Sequence, residues 1–162
     1  MTGLAEVMAN GQGVVLGTWR QFYLIVYTGE TTQASVDLID EGYARFRERS
    51  PGPAGLFVVV EDRVPMPPGP VRERIAEFMK AAGGHVRASA LVQEGTGFRA
   101  AAVRSVATGI TLLARQPFPH HVFATVAEAS RWLVKSFDDV SEAEIAAAVA
   151  DIRQSAKQDV PA

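Results

Sequence analysis

Hydrophobic positions follow two different rhythms along the chain. Val14, Val15 and Leu16 form one β-rich run and residues 22–27 (Phe-Tyr-Leu-Ile-Val-Tyr) another, with only a short polar connection at 18–21 between them. Branched and aromatic side chains suit a pleated surface, so the two runs predict adjacent strands joined by a tight turn. A weaker strand precedes them around residues 6–9. Over residues 31–49 the rhythm changes. Val36, Ile39, Tyr43 and Phe46 recur at three- and four-residue steps, which places them on one face of a helix. Ser50-Pro51-Gly52-Pro53 ends that helix, because proline cannot continue it and glycine accepts the turn.

Leu56-Phe57-Val58-Val59-Val60 is an unbroken apolar run. A strand of that kind is covered on both faces, as in the middle of an α/β sheet. Residues 61–70 form a proline-rich loop. Val71, Ile75, Phe78, Met79 and Ala82 then supply the stripe of a second helix, stopped by Gly83-Gly84. A strand follows at 86–92. Glu94-Gly95-Thr96-Gly97 leads into a third helix with Ala102, Val106, Ile110 and Leu113 on its buried side, and a short strand follows at 122–124. Thr125 and Glu128 have the spacing of a capping box, and so do Ser141 and Glu144. They start helices that bury Ala129, Trp132 and Leu133, and Ile145, Val149 and Ile152. The polar tail after Ser155 is expected to fray.

Strands alternating with helices in this order predict one α/β domain, a mixed sheet of about four to six strands flanked by helices. Residues 1–11 read as an N-terminal segment with a short strand, 12–135 as the α/β domain, and 136–162 as an additional C-terminal helix and tail. At 162 residues the chain can bury a core without staples. There is no cysteine, which removes disulfides, thiolate ligands and thiol nucleophiles from consideration. With 16 basic against 18 acidic residues, the chain lacks the basic excess of a nucleic-acid binder. Arg45, Arg47 and Arg49, and likewise Arg72 and Arg74, read as solvated helix faces. Residues 1–10 have neither the basic start nor the apolar run of a secretory signal, and no apolar stretch approaches the ~20 residues of a membrane span. The expected setting is cytoplasmic, without membrane insertion.

Two segments, Phe98-Arg99-Ala100-Ala101-Ala102-Val103-Arg104-Ser105 and Val122-Phe123-Ala124-Thr125-Val126-Ala127-Glu128-Ala129-Ser130-Arg131-Trp132-Leu133, resemble the STAS-like domains. The order of elements over residues 12–135 resembles them as well. The closest branch is the SpoIIAA-like one, named for a sporulation anti-sigma-factor antagonist. The resemblance implies a small mixed-sheet domain that binds other proteins, and sometimes small ligands, without catalysing a reaction. Phospho-regulated members carry a serine or threonine at the loop-to-helix junction after the central strand. The corresponding segment here is 61–70, and no Ser, Thr or Tyr occurs from Pro51 to Ala88. The resemblance therefore implies a module without the usual phosphorylation switch.

Chemistry-bearing residues are few. Glu61, Asp62 and Arg63 follow the central strand, at the edge where α/β domains tend to place their sites. Prolines stiffen the loop after them, which lowers the ordering cost of presenting Val64 and Met66 to a partner. Asp62, Arg63, Val64, Met66 and Arg72 are the expected partner-binding residues. Thr96, Gly97 and Arg99 open the next helix and offer free amides and a guanidinium to an anion, although the spacing fits no phosphate-binding fingerprint. His120 and His121 are neighbours in an extended segment and point to opposite faces, so they do not share a metal. No nucleophile motif, metal site or cofactor fingerprint is found. The favoured reading is a non-catalytic regulatory or scaffolding module that binds another protein. A domain binding a small anion or lipid-like ligand is the alternative, and self-association is compatible with either.

Overall fold

The computed structural model describes residues 5–95, 101, 105 and 118–158. A six-stranded sheet runs in sequence order: β1 (Glu6–Gly11), β2 (Val14–Trp19), β3 (Phe22–Tyr27), β4 (Ala54–Val60), β5 (Val86–Gln93) and β6 (His120–Phe123). The first three strands are antiparallel neighbours, and β3 through β6 are parallel. The sheet is therefore mixed, and the α/β domain expected from the sequence is the one observed. Four helices flank it among the described residues: α1 (Gln33–Arg49), α2 (Gly69–Ala81), α3 (Val126–Leu133) and α4 (Glu142–Gln158). The third helix expected around Ala102, Val106, Ile110 and Leu113 lies outside the described residues. No described helix is long and apolar enough to cross a membrane.

Local chemistry accounts for the element ends. Gln12 and Gly13 both take positive φ, 53° and 75°, the conformation of a type I′ turn whose twist matches that of the flanking strands. That turn closes β1 onto β2, so the N-terminal segment is an edge strand of the sheet rather than a separate element. α1 starts at a capping box in which Thr32 and Ser35 satisfy each other's amides. The Ser35 hydroxyl also donates to the Gln12 carbonyl and ties the helix start to the first hairpin. Ser141 and Glu144 close their expected box in both directions, and Thr125 accepts from the Glu128 amide. α4 continues to Gln158, past the point where the polar tail was expected to fray. Ala156 remains buried against the sheet side and keeps the last turns docked.

The alternation along the strands sorts the core into two layers. Tyr23, Ile25, Leu56 and Val58 point toward Ile39, Tyr43 and Phe46 of α1 and Phe78 and Met79 of α2. Phe22, Leu24, Phe57, Val59, Ala90 and Val92 point the other way, toward α3 and α4. The unbroken apolar run of β4 is thus buried on both faces, between two parallel neighbours. At the N-terminal edge of the parallel strands, His85 pins the first layer. The Ser50 carbonyl can only accept, so His85 Nε2 donates to it at 2.7 Å and Nδ1 accepts from the Tyr43 hydroxyl at 2.6 Å. Burial pushes the Tyr43 hydroxyl up to about 12, so it stays a donor.

α4 lies close to the sheet because β2 offers it a glycine. A β-carbon at Gly17 would overlap Ile152 Cδ1 and sit 2.8 Å from Ile152 Cγ1 and 3.0 Å from the Glu6 carbonyl. Gly17→Ala is expected to cost about 1–3 kcal/mol by overpacking, and Ile152→Ala about 2–5 kcal/mol by leaving a cavity. The double variant should be less destabilised than the sum by roughly 1 kcal/mol or more, since each change relieves the other. Denaturant unfolding of the four proteins measures this, and strict additivity would show that α4 does not pack on β2.

Candidate functional site

The C-terminal ends of β4 and β5 lie side by side, and the ladder continues one residue past each strand. The Glu61 amide donates to the Tyr27 carbonyl at 3.1 Å, and the Glu94 amide donates to the Val60 carbonyl at 3.0 Å. Since Val60 faces α1 and α2, the alternation turns Glu61 toward the α4 side, and Glu94 points the same way. Both carboxylates converge there on Arg153 of α4. Arg153 Nη2 donates to Glu61 Oε2 at 2.7 Å and to Glu94 Oε1 at 2.6 Å, and Nη1 donates to Glu94 Oε2 at 2.9 Å. The pair with Glu94 is thus bidentate, the arrangement in which guanidinium and carboxylate match best. The bonds to Glu94 raise the Arg153 pKa, burial opposes them, and the bond to Glu61 adds to the rise. Side-chain exposures of 24% for Arg153, 28% for Glu61 and 30% for Glu94 leave the cluster only partly screened, unlike an open surface pair.

Beyond Glu61 the chain turns at once. The Val64 amide donates to the Glu61 carbonyl at 3.0 Å, and the Val64 side chain drops into the layer beneath α1 and α2 with 4% exposure. Val64 therefore cannot be presented to a partner. The expectation that it stands out of the loop beside Met66 is corrected: it is the loop's anchor. Asp62 and Arg63 are exposed. The Asp62 carboxylate lies directly over Gly95, whose φ of 108° and lack of a β-carbon make room for it. Met66 is 42% exposed, the one large hydrophobic side chain that is exposed among the described residues. Arg72 is partly buried and donates to the Pro67 carbonyl at 2.9 Å, so it braces the loop from the first turns of α2. Thr96, Gly97 and Arg99 lie outside the described residues.

The other charged and histidine groups belong elsewhere in the fold. Arg74 bridges α2 to α1 through Asp37 and Asp40, at 2.7 and 3.1 Å, while Arg45, Arg47 and Arg49 are exposed along α1. The two adjacent histidines occupy opposite sheet faces, as strand alternation requires. His120 Nδ1 is 2.9 Å from the Ser89 hydroxyl, whereas the His121 ring lies tilted against Trp132 of α3, 4.8 Å between centroids. An open cavity of about 430 Å³ lies between α3 and α4, lined by residues that include Val126, Ala146, Val149, Arg153 and Lys157.

Reading the loop alone brings Asp62, Arg63, Met66 and Arg72 to one edge but misses Arg153, which organises that edge. A signal for it exists. Arg153 follows Ile152 directly and lies four residues after Val149, so it flanks the buried stripe of its helix. No family model matches the chain, and no curated protein matches it.

Two measurements follow from these side chains. In the wild-type protein Glu94→Gln should cost about 1–2 kcal/mol, because it replaces a charge-assisted bidentate pair. In an Arg153→Met background the same change should be neutral or stabilising, since it removes one of two carboxylates left without their cation. Urea unfolding of the single and double variants reads the sign, and an unchanged cost in the Arg153→Met background would show that Arg153 is not the partner.

The second measurement concerns pH. Burial, and then the nearby His121, push the His120 imidazole down to about 4. An unfolded chain takes up that proton near its ordinary value of about 6.5. The stabilising contribution of neutral His120 is thus complete above that pH and is lost as pH falls toward 4. Wild type should lose about 1.5 kcal/mol more than His120→Asn between pH 6.5 and 5 in denaturant titrations. Parallel pH profiles for the two proteins would refute this.

Proposed function

We propose that this chain is a non-catalytic, STAS-like regulatory or scaffolding module of the cytoplasm that docks another protein on the loop after β4. The observation that carries this reading is Met66, the only exposed large hydrophobic side chain among the described residues, standing on a loop that is held from below and from both ends. A lone exposed apolar side chain is ordinary on a protein surface; the stiff loop and charged rim around Met66 are what give it weight. Val64 anchors the loop in the core, and Pro65, Pro67, Pro68 and Pro70 limit its freedom. Arg72 braces it through the Pro67 carbonyl. A loop ordered before contact loses little conformational entropy on binding, and methionine adapts to irregular partner surfaces. Asp62 and Arg63 supply a charged rim that orients the partner. With no Ser, Thr or Tyr between Pro51 and Ala88, control by phosphorylation within this loop is not part of the reading.

The test separates docking from folding. Met66→Asp should leave the unfolding midpoint within about 0.5 kcal/mol of wild type, as surface changes do, and should abolish retention of a specific partner in affinity capture. Val64→Ala should instead cost about 1–3 kcal/mol of stability, as a core truncation does. A partner retained equally by wild type and Met66→Asp would refute the docking surface.

A further inference from the structure

The docking loop and the C-terminal helix meet at one residue. Glu61 is held three times: its amide donates to Tyr27, its carbonyl accepts from Val64, and its carboxylate accepts from Arg153. The first bond fixes the residue to the sheet, the second starts the loop that carries Met66, and the third reaches α4. A parallel route leads from Arg153 through Glu94 to Gly95, over which the Asp62 carboxylate lies. Both strand ends that shape the loop are thus tied to one guanidinium. α4 ends within two turns of it, and of those residues only Ala156 is buried.

We infer that Arg153 is a positioning residue that couples the docking loop to the C-terminal half of α4, making this helix the element through which the loop is regulated. The inference rests on the docking-loop reading of residues 62–72. Loosening α4 beyond Ile152 withdraws the cation from Glu61 and Glu94. The two carboxylates then repel each other, and the turn closed by the Val64 amide loses its outer support. Coupling of this kind is reciprocal, because each end changes the other's free energy by the same amount. A partner seated on Met66 and Asp62 therefore tightens the end of α4, and any contact that pulls the end of α4 away loosens the loop. The route consists of packed and hydrogen-bonded groups without a gap, which is the physical condition for such coupling.

Amide hydrogen exchange on the partner-free full chain tests it from both ends. Arg153→Met should speed exchange of the Glu61, Val64 and Glu94 amides by roughly tenfold or more through local opening, while the amides between β1 and β2 keep their protection. Reciprocally, Glu61→Gln combined with Glu94→Gln should speed exchange at residues 154–158. Arg153→Lys keeps the charge but not the planar fork. It should fall between wild type and Arg153→Met, and it decides the question if Arg153→Met does not fold. Ile152→Val is the control, since it weakens the neighbouring contact of the same helix without touching the guanidinium. Loosening at both ends, with the control silent at the loop, supports the coupling. Loosening at one end only, or an equal loop response to Ile152→Val, overturns it. Because no partner is present, this outcome is independent of whether Met66→Asp loses its partner.

Discussion

Everything in this fold depends on covering both faces of a mixed sheet whose strands are laid down in sequence order. A crossover between parallel neighbours is right-handed, so helices that connect β3 to β4 and β4 to β5 must lie on the same face. α1 and α2 do so, and their stripes meet Tyr23, Ile25, Leu56 and Val58. The opposite face, with Phe22, Leu24, Phe57 and Val59, is covered among the described residues by elements that follow β6. α3 and α4 close it. The C-terminal helix therefore shares the cover of the second layer with α3, and its close seating on Gly17 follows from that duty.

The same requirement places Arg153. A helix that spans the second face from β2 toward the strand ends arrives beside Glu61 and Glu94 at the edge where its buried stripe runs out. Carboxylates that close together resist sharing a half-buried space unless a cation lies between them. The guanidinium satisfies both with three bonds. Arg74 offers an instructive contrast. It also binds carboxylates, Asp37 and Asp40, and burial pushes the Asp40 carboxyl up despite the cation. But it joins two helices already packed through Phe78 and Tyr43, and neither acid shapes a loop. Position relative to the strand ends separates Arg74, a brace between two helices, from Arg153, which ties the ends of β4 and β5 to α4.

Most of the fold was legible because period and chain direction survive in the sequence. The stripes of α1 and α2, the doubly buried run of β4, the cap at Thr125 and the box at Ser141 each follow from local rules. What escaped was tertiary. Val64 lies among prolines where no period exists, and nothing local distinguishes it from Met66 two positions later. Only the turn closed by its amide on Glu61 decides which of the two is buried. Arg153 escaped for a related reason: its partners are 92 and 59 residues away in sequence. The polar tail was expected to fray after Ser155, yet the helix runs on to Gln158 with Ala156 buried.

Val64 and Met66 show how one short loop satisfies opposing demands. In the docking reading proposed above, the loop must expose apolar area, which water penalises, and must also keep a fixed shape, which costs chain entropy. Burying Val64 supplies attraction that opposes both costs, since a buried side chain of that size contributes roughly 1.5–3 kcal/mol. The prolines lower the entropy cost by restricting the unfolded loop as well. What remains is a single exposed methionine on a frame set by Glu61, and Glu61 is in turn set by α4. Glu61, Glu94, Arg153 and Arg72 hold the loop and the helix together, while Asp62 and Arg63 stay exposed beside Met66.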